Sequence, residues 1–101
     1  MSSFTPGPWE RGPSGATIYA AKKQPGPVSN MIIADCRPGR TLAERHANAR
    51  LITQAPEMFA ALEDALPELV ATMEAYPQSQ ALPELVARIE AILAHAKGES
   101  L

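Results

Sequence analysis

A chain of 101 residues with 46% apolar residues, one cysteine and a formal net charge of −2 has the length of one small domain and can form neither an internal disulfide nor a cysteine-built metal cage. No apolar run approaches the ~18 residues that cross a membrane, and the opening MSSFTPGPW has neither the basic nor the apolar region of a signal peptide, so a reducing cytoplasm is the expected home. The charge is uneven: residues 1–50 carry seven basic against three acidic groups, net +4, and residues 51–101 two against eight, net −6. That polarity suits head-to-tail contact within or between chains, or an anionic ligand on the first half.

The first forty residues are punctuated by Pro6-Gly7-Pro8, Gly12-Pro13, Gly15, Pro25-Gly26-Pro27 and Pro38-Gly39, each asking for a turn or an extended stretch. Between them lie three strand candidates: Trp9–Arg11, the weakest, Ala16–Ala20, and Met31–Asp35, the richest in β-formers. Spacing of about a dozen residues predicts a small antiparallel meander, with Pro25-Gly26-Pro27 as its second turn.

The pattern then changes. Thr41-Leu42-Ala43-Glu44 reads as a capping box and opens a helix from Leu42 to about Gln54, ending before Pro56 because a residue ahead of proline is pushed out of the α region. The heptapeptide ALPELVA occurs at Ala65–Ala71 and again at Ala81–Ala87, and Pro56–Glu63 matches both loosely. Each copy looks like a helix start, with proline at the first position and glutamate behind it. Met58, Leu62, Leu66, Leu69, Met73 and Tyr76 form one stripe through Pro67. The stripe favours a single kinked helix from Pro56 to about Tyr76, against a cost of ~3 kcal/mol for an interior proline. Tyr76–Gln80 is a turn, with Ser79 or Gln80 as cap of a last helix that turns Leu85, Val86, Ile89, Ile92, Leu93 and Ala96 to one side and stops at Gly98. The expected fold class is α+β, one domain over 1–101: a Pro/Gly-rich antiparallel β-meander of two or three strands (1–40) followed by two or three α-helices (41–98).

Candidates for chemistry are few. A thiolate–base pair of Cys36 with His46 or His95 has no flanking motif to support it, and a buried, inert thiol is the simpler reading. Glu63, Asp64, Glu68 and Glu74 read as a solvated helix face. No phosphate-binding glycine motif occurs, no metal or other cofactor is expected, and an enzyme is not expected. Arg37, Arg40, Arg45 and Arg50 fall within fourteen residues, with Asn48 among them. Arginine suits bidentate phosphate recognition, and Trp9 or Tyr19 could supply base stacking. The plainer alternative is solubility plus salt bridges to the acidic helices. These seven residues are the candidate binding set.

Thr5-Pro6-Gly7-Pro8-Trp9, together with His46–Ile52 running on to Ala55-Pro56-Glu57, resembles a widespread group of small tailed-phage and prophage accessory proteins that share a TPGPW opening, a short β segment and an NARLI…APE helical segment. The resemblance covers most of residues 4–66. The chain departs from the usual pattern at Met58-Phe59, where two leucines are common, and at Pro67, which bears on helix geometry. It implies a phage accessory protein in the cytoplasm of an infected bacterial host, with no particular activity attached. Three functions are therefore expected in order: a non-catalytic counter-defence inhibitor, anti-CRISPR-like, that binds a host defence protein; a sponge for a cyclic or signalling nucleotide held by the arginines; or a structural or regulatory protein without ligand. Direct nucleic-acid binding is not expected. Apolar stripes on both long helices exceed what a small sheet can cover, so a homo-oligomer through helix packing is expected.

Overall fold

The structure, a computed structural model, describes residues 4–20 and 32–99; the expected Pro25-Gly26-Pro27 turn and Met31 lie outside them. Strand β1 (Trp9–Arg11) and strand β2 (Thr17–Ala20) pair antiparallel, Trp9 opposite Ala20 and Arg11 opposite Ile18. Gly12-Pro13-Ser14-Gly15 turns the chain between them. Gly12 C=O accepts from the Gly15 amide at 2.9 Å, and Gly15 takes a φ of +76°, open to glycine at little cost. Strand β3 (Ile32–Asp35) pairs with the other edge of β2, with Thr17 opposite Asp35, Ile18 opposite Ala34 and Tyr19 opposite Ile32. That register leaves Ile33 as an extra residue, a β-bulge that bends β3. The sheet order β1-β2-β3 is the meander expected from the spacing.

Helix α1 (Leu42–Thr53) begins where the capping residue predicts: the Glu44 amide donates to Thr41 Oγ1 at 3.0 Å. Where a full capping box would turn Glu44 back to the cap amide, its carboxylate instead accepts from the Arg40 guanidinium at 3.0 and 3.3 Å. The helix packs on β1 and β2. Its buried contact residues are Ala49 and Thr53, small enough to let the helix lie close to the sheet. Ile18 and Ala20 of the central strand, and Ala16 and Thr17 where it begins, are all buried.

Helix α2 (Ala55–Ala75) is continuous through Pro67, and helix α3 (Ala81–Ala96) follows the turn. The three prolines do not sit at first positions. Pro56 is the second residue of α2, Pro83 the third of α3, and Pro67 lies in the interior. The first four amides of a helix lack intrahelical acceptors, so Pro56 and Pro83 lose nothing, whereas Pro67 removes the donor that the Glu63 carbonyl would receive. At the start of α3 the cap residue Gln80 makes no side-chain bond, and Ser79 Oγ accepts from Leu82 N at 3.4 Å. The end of α3 is a Schellman motif: Gly98, at φ +83°, donates to His95 C=O at 3.0 Å and Glu99 donates to Ala94 C=O at 2.8 Å.

The chain forms two compact units, one of Thr5–Met58 and one from Phe59 onward with Phe4. The first has its core at Ile18 and Ala49. In the second, the buried side chains come from α3, namely Val86, Ile89, Leu93 and Ala94, while α2 contributes none that is fully buried. Phe4 meets Phe59 edge to face, ring centroids 5.0 Å apart. The expected stripe of α2 is half-buried along Leu62, Leu66, Leu69 and Met73 and opens to solvent at Met58 and Tyr76.

Candidate partner-binding site

Where β3 ends, the chain must reverse to enter α1, and polar bonds fix that reversal. The Asp35 carboxylate accepts from the Arg37 backbone amide at 3.0 Å and from the Arg37 guanidinium at 2.9 and 2.8 Å. The side-chain bond to Arg37, reinforced by the Arg37 amide, holds the Asp35 carboxyl at about 2 and raises Arg37 in turn. One residue on, the Cys36 amide donates to Ala16 C=O at 2.7 Å, and Cys36 C=O accepts from Gly39 N–H at 3.1 Å. Arg45, on the first turns of α1, reaches back and donates its Nε–H to Gly39 C=O at 2.7 Å. Its side chain crosses the face of Gly39 so closely that a Cβ there would meet Arg45 Cγ at 2.8 Å. The loop is thereby tied at one end to the sheet and at the other to the helix.

A pocket of about 350 Å³ opens between that loop and the next turns of α1, lined by Asp35, Cys36, Pro38, Gly39, Asn48, Leu51 and Ile52. Asn48, Leu51 and Ile52 stand three and four residues apart, one above another on a single helix face. The walls are mainly apolar. Asn48 supplies one amide that can both donate and accept, and the carboxylate of Asp35 is already engaged by Arg37. Leu51 is 62% exposed, and Cys36, expected to be buried, is half-buried at the wall. Neither histidine lines the pocket. A cleft with hydrophobic walls and one adaptable hydrogen-bonding group suits an apolar side chain better than a phosphate.

Of the seven residues singled out in the sequence, Asn48 alone lines this pocket. Arg37 is spent on Asp35 and Arg40 on Glu44, both in exposed pairs, rather than on the acidic helices. Arg45 is a structural clamp. Arg50 is exposed in the last turn of α1, where a cation complements the helix dipole. Trp9 donates its indole N–H to Thr5 C=O at 3.1 Å, anchoring the opening segment. Tyr19 lies across Gly12, so close that a Cβ at Gly12 would collide with its ring. Both aromatic rings are half-buried and serve packing. The pocket's other residues carry no motif. Only the fold brings Pro38-Gly39 opposite Leu51-Ile52, so no local signal could have found them.

His46 faces the β1–β2 turn. Its Nε2 is buried without a hydrogen-bond partner and would stand 3.1 Å from a Cβ at Gly15. Among the described residues no three His, Cys, Asp or Glu side chains are grouped as a metal site requires, and no helix is long and apolar enough to cross a membrane. Neither a curated protein nor a solved structure matches the chain. A family model does, over residues 1–100, and with it the phage affinity expected from the TPGPW and NARLI stretches acquires a definite family: the chain belongs to that of Salmonella phage P22 protein Y8K6.

Proposed function

We propose that this phage protein is a non-catalytic binding protein, a counter-defence inhibitor of the anti-CRISPR kind, that engages a host immune protein through the loop–α1 face of its first unit, in the cytoplasm of the infected cell. The observation that carries this reading is the lining of the pocket. Pro38, Leu51 and Ile52 surround a space able to take an aliphatic or aromatic side chain, and Asn48 stands ready to bond the backbone beside it. An apolar anchor in a pocket with a polar surround is how protein interfaces concentrate their affinity.

The same lining favours a protein over a signalling nucleotide. A phosphate would meet the Asp35 carboxylate, and Arg37 and Arg40 would first have to leave their partners. The test is capture from host lysate and from a panel of purified defence effectors, using the native protein beside Leu51→Asp. The expected result is one stoichiometric protein partner, cross-linked to α1, that Leu51→Asp loses while keeping its helical signal. An inhibitor should also suppress that partner's activity in the test tube. Equal capture by Leu51→Asp, or no partner at all, overturns the proposal. Cyclic oligonucleotides should leave the melting temperature unchanged; a rise abolished by Arg45→Ala or Arg50→Ala would move the function to a nucleotide sponge.

A further inference from the structure

Helix α3 carries more apolar surface than its own unit covers. At about 100° per residue, Val86 and Leu93 lie roughly 80–100° to one side of Leu85, and both are buried. Leu85 itself and Ile92, about 20° apart around the helix, are 39% and 47% exposed. Ala81 and Ala96 fall within about 40° of the same line and are also exposed. The four make a shoulder beside the buried sector. Leu85 and Ile92 are centred on the step between Arg88 and Ile89, and so are Ala81 and Ala96. A face arranged symmetrically about its own midpoint is self-complementary under a two-fold axis, the condition for an isologous dimer.

Charge decides which helix can meet its own copy. Helix α2 bears Glu57, Glu63, Asp64, Glu68 and Glu74 with no basic residue, so two α2 faces repel. Helix α3 sets Glu84 and Glu90 against Arg88 and is almost neutral. On the flank of its exposed shoulder lie Glu84, Arg88 and His95. In an antiparallel pair the same flanks meet, which brings Glu84 of one copy beside His95 of the other and the two Arg88 side chains together near the axis, where each has its own Glu84 four residues back to offset the like charge. Small residues at both ends of the shoulder let the two helices approach closely.

We infer that α3 is a self-association face on which a second copy of the chain packs antiparallel about a two-fold axis at the Arg88–Ile89 step, Leu85 against the partner's Ile92 and Ala81 against the partner's Ala96. This gives the expected homo-oligomer a specific face and is independent of the pocket in the first unit. The experiment has two parts. Sedimentation across a concentration series should show a monomer–dimer equilibrium, and Leu85→Glu or Ile92→Glu should abolish the dimer with the helical circular dichroism unchanged. In a Cys36→Ser background, mixing Leu85→Cys with Ile92→Cys should give a disulfide-linked pair under mild oxidation, while Leu85→Cys alone should not cross-link. The cysteine pairs keep the question open to a decision if the glutamate variants unfold. A monomer at every concentration overturns the inference. So does efficient cross-linking of Leu85→Cys with itself, which would mean parallel helices.

Discussion

Asp35 and Arg37 are two residues apart, and their bonds shape the loop on which one wall of the pocket rests. Because the Arg37 guanidinium holds the Asp35 carboxyl at about 2, the carboxylate stays charged in the folded chain after an unfolded chain would have protonated it. The sign follows: the folded pKa is depressed, so the stabilising contribution is complete above pH ~4, the ordinary carboxylate value, and is lost as pH falls toward 2. The expected result is an Asp35 carboxyl resonance that titrates well below the other carboxylates. Arg37→Ala should return it to the ordinary range, and an unshifted Asp35 in the native protein would contradict the bidentate pair. Gly15 provides a second test at this scale. Its φ of +76° excludes an unstrained side chain, and a Cβ would press on the buried Nε2 of His46. Gly15→Ala should cost about 1–2 kcal/mol, a fall in Tm of ~5 °C or more for a chain of this size. Pro13-Ser14-Gly15 announces such a turn in the sequence, but that His46 lies across it depends on how α1 docks, and no local pattern encodes that.

The two ALPELVA heptads show what an element adds to identical letters. Pro83 stands third in α3, among amides that have no helical acceptor, whereas Pro67 interrupts the ladder of α2. Replacing each by alanine therefore separates context from sequence. Pro67→Ala restores a donor to the Glu63 carbonyl and should stabilise the protein by up to ~3 kcal/mol. Pro83→Ala restores nothing, makes the unfolded chain more flexible, and should destabilise slightly, by less than ~1 kcal/mol. Urea denaturation of the two variants should move the midpoint in opposite directions; equal shifts would mean that the chain opens at Pro67. The start of α1 and the end of α3 were well encoded here, since Thr41 and Gly98 act through local backbone chemistry, whereas Ala55, expected to leave the helical region ahead of Pro56, is itself the first residue of α2. Burial along α2 was not, because its apolar stripe extends past what covers it at Met58 and Tyr76. Likewise the sequence groups the arginines by position, and the fold then assigns Arg37, Arg40 and Arg45 to loop and helix-start bonds instead of a shared ligand.

At the scale of the whole molecule, charge and apolar exposure divide along the same boundary. The unit Thr5–Met58 carries seven basic against four acidic groups, and the chain from Phe59 onward two against seven. The first exposes Leu42 and Leu51 on a basic helix, the second Leu85 and Ile92 on α3. If the first serves a partner protein and the second a second copy, the two activities must be separable by mutation. Leu51→Asp should lose partner capture and sediment as the native dimer does. Ile92→Glu should sediment as a monomer and still bind one partner per chain, with a weaker apparent affinity wherever the native dimer engages two linked partners at once. Rising salt should weaken binding to the partner, because the net basic charge of the first unit attracts an acidic surface, and should have little effect on a dimer held by leucine, isoleucine and alanine. Sedimentation with and without the partner, at low and high salt, measures all four quantities in one series. Loss of both activities in either variant, with the fold intact, would show that capture depends on the dimer and would place the partner across the two-fold axis.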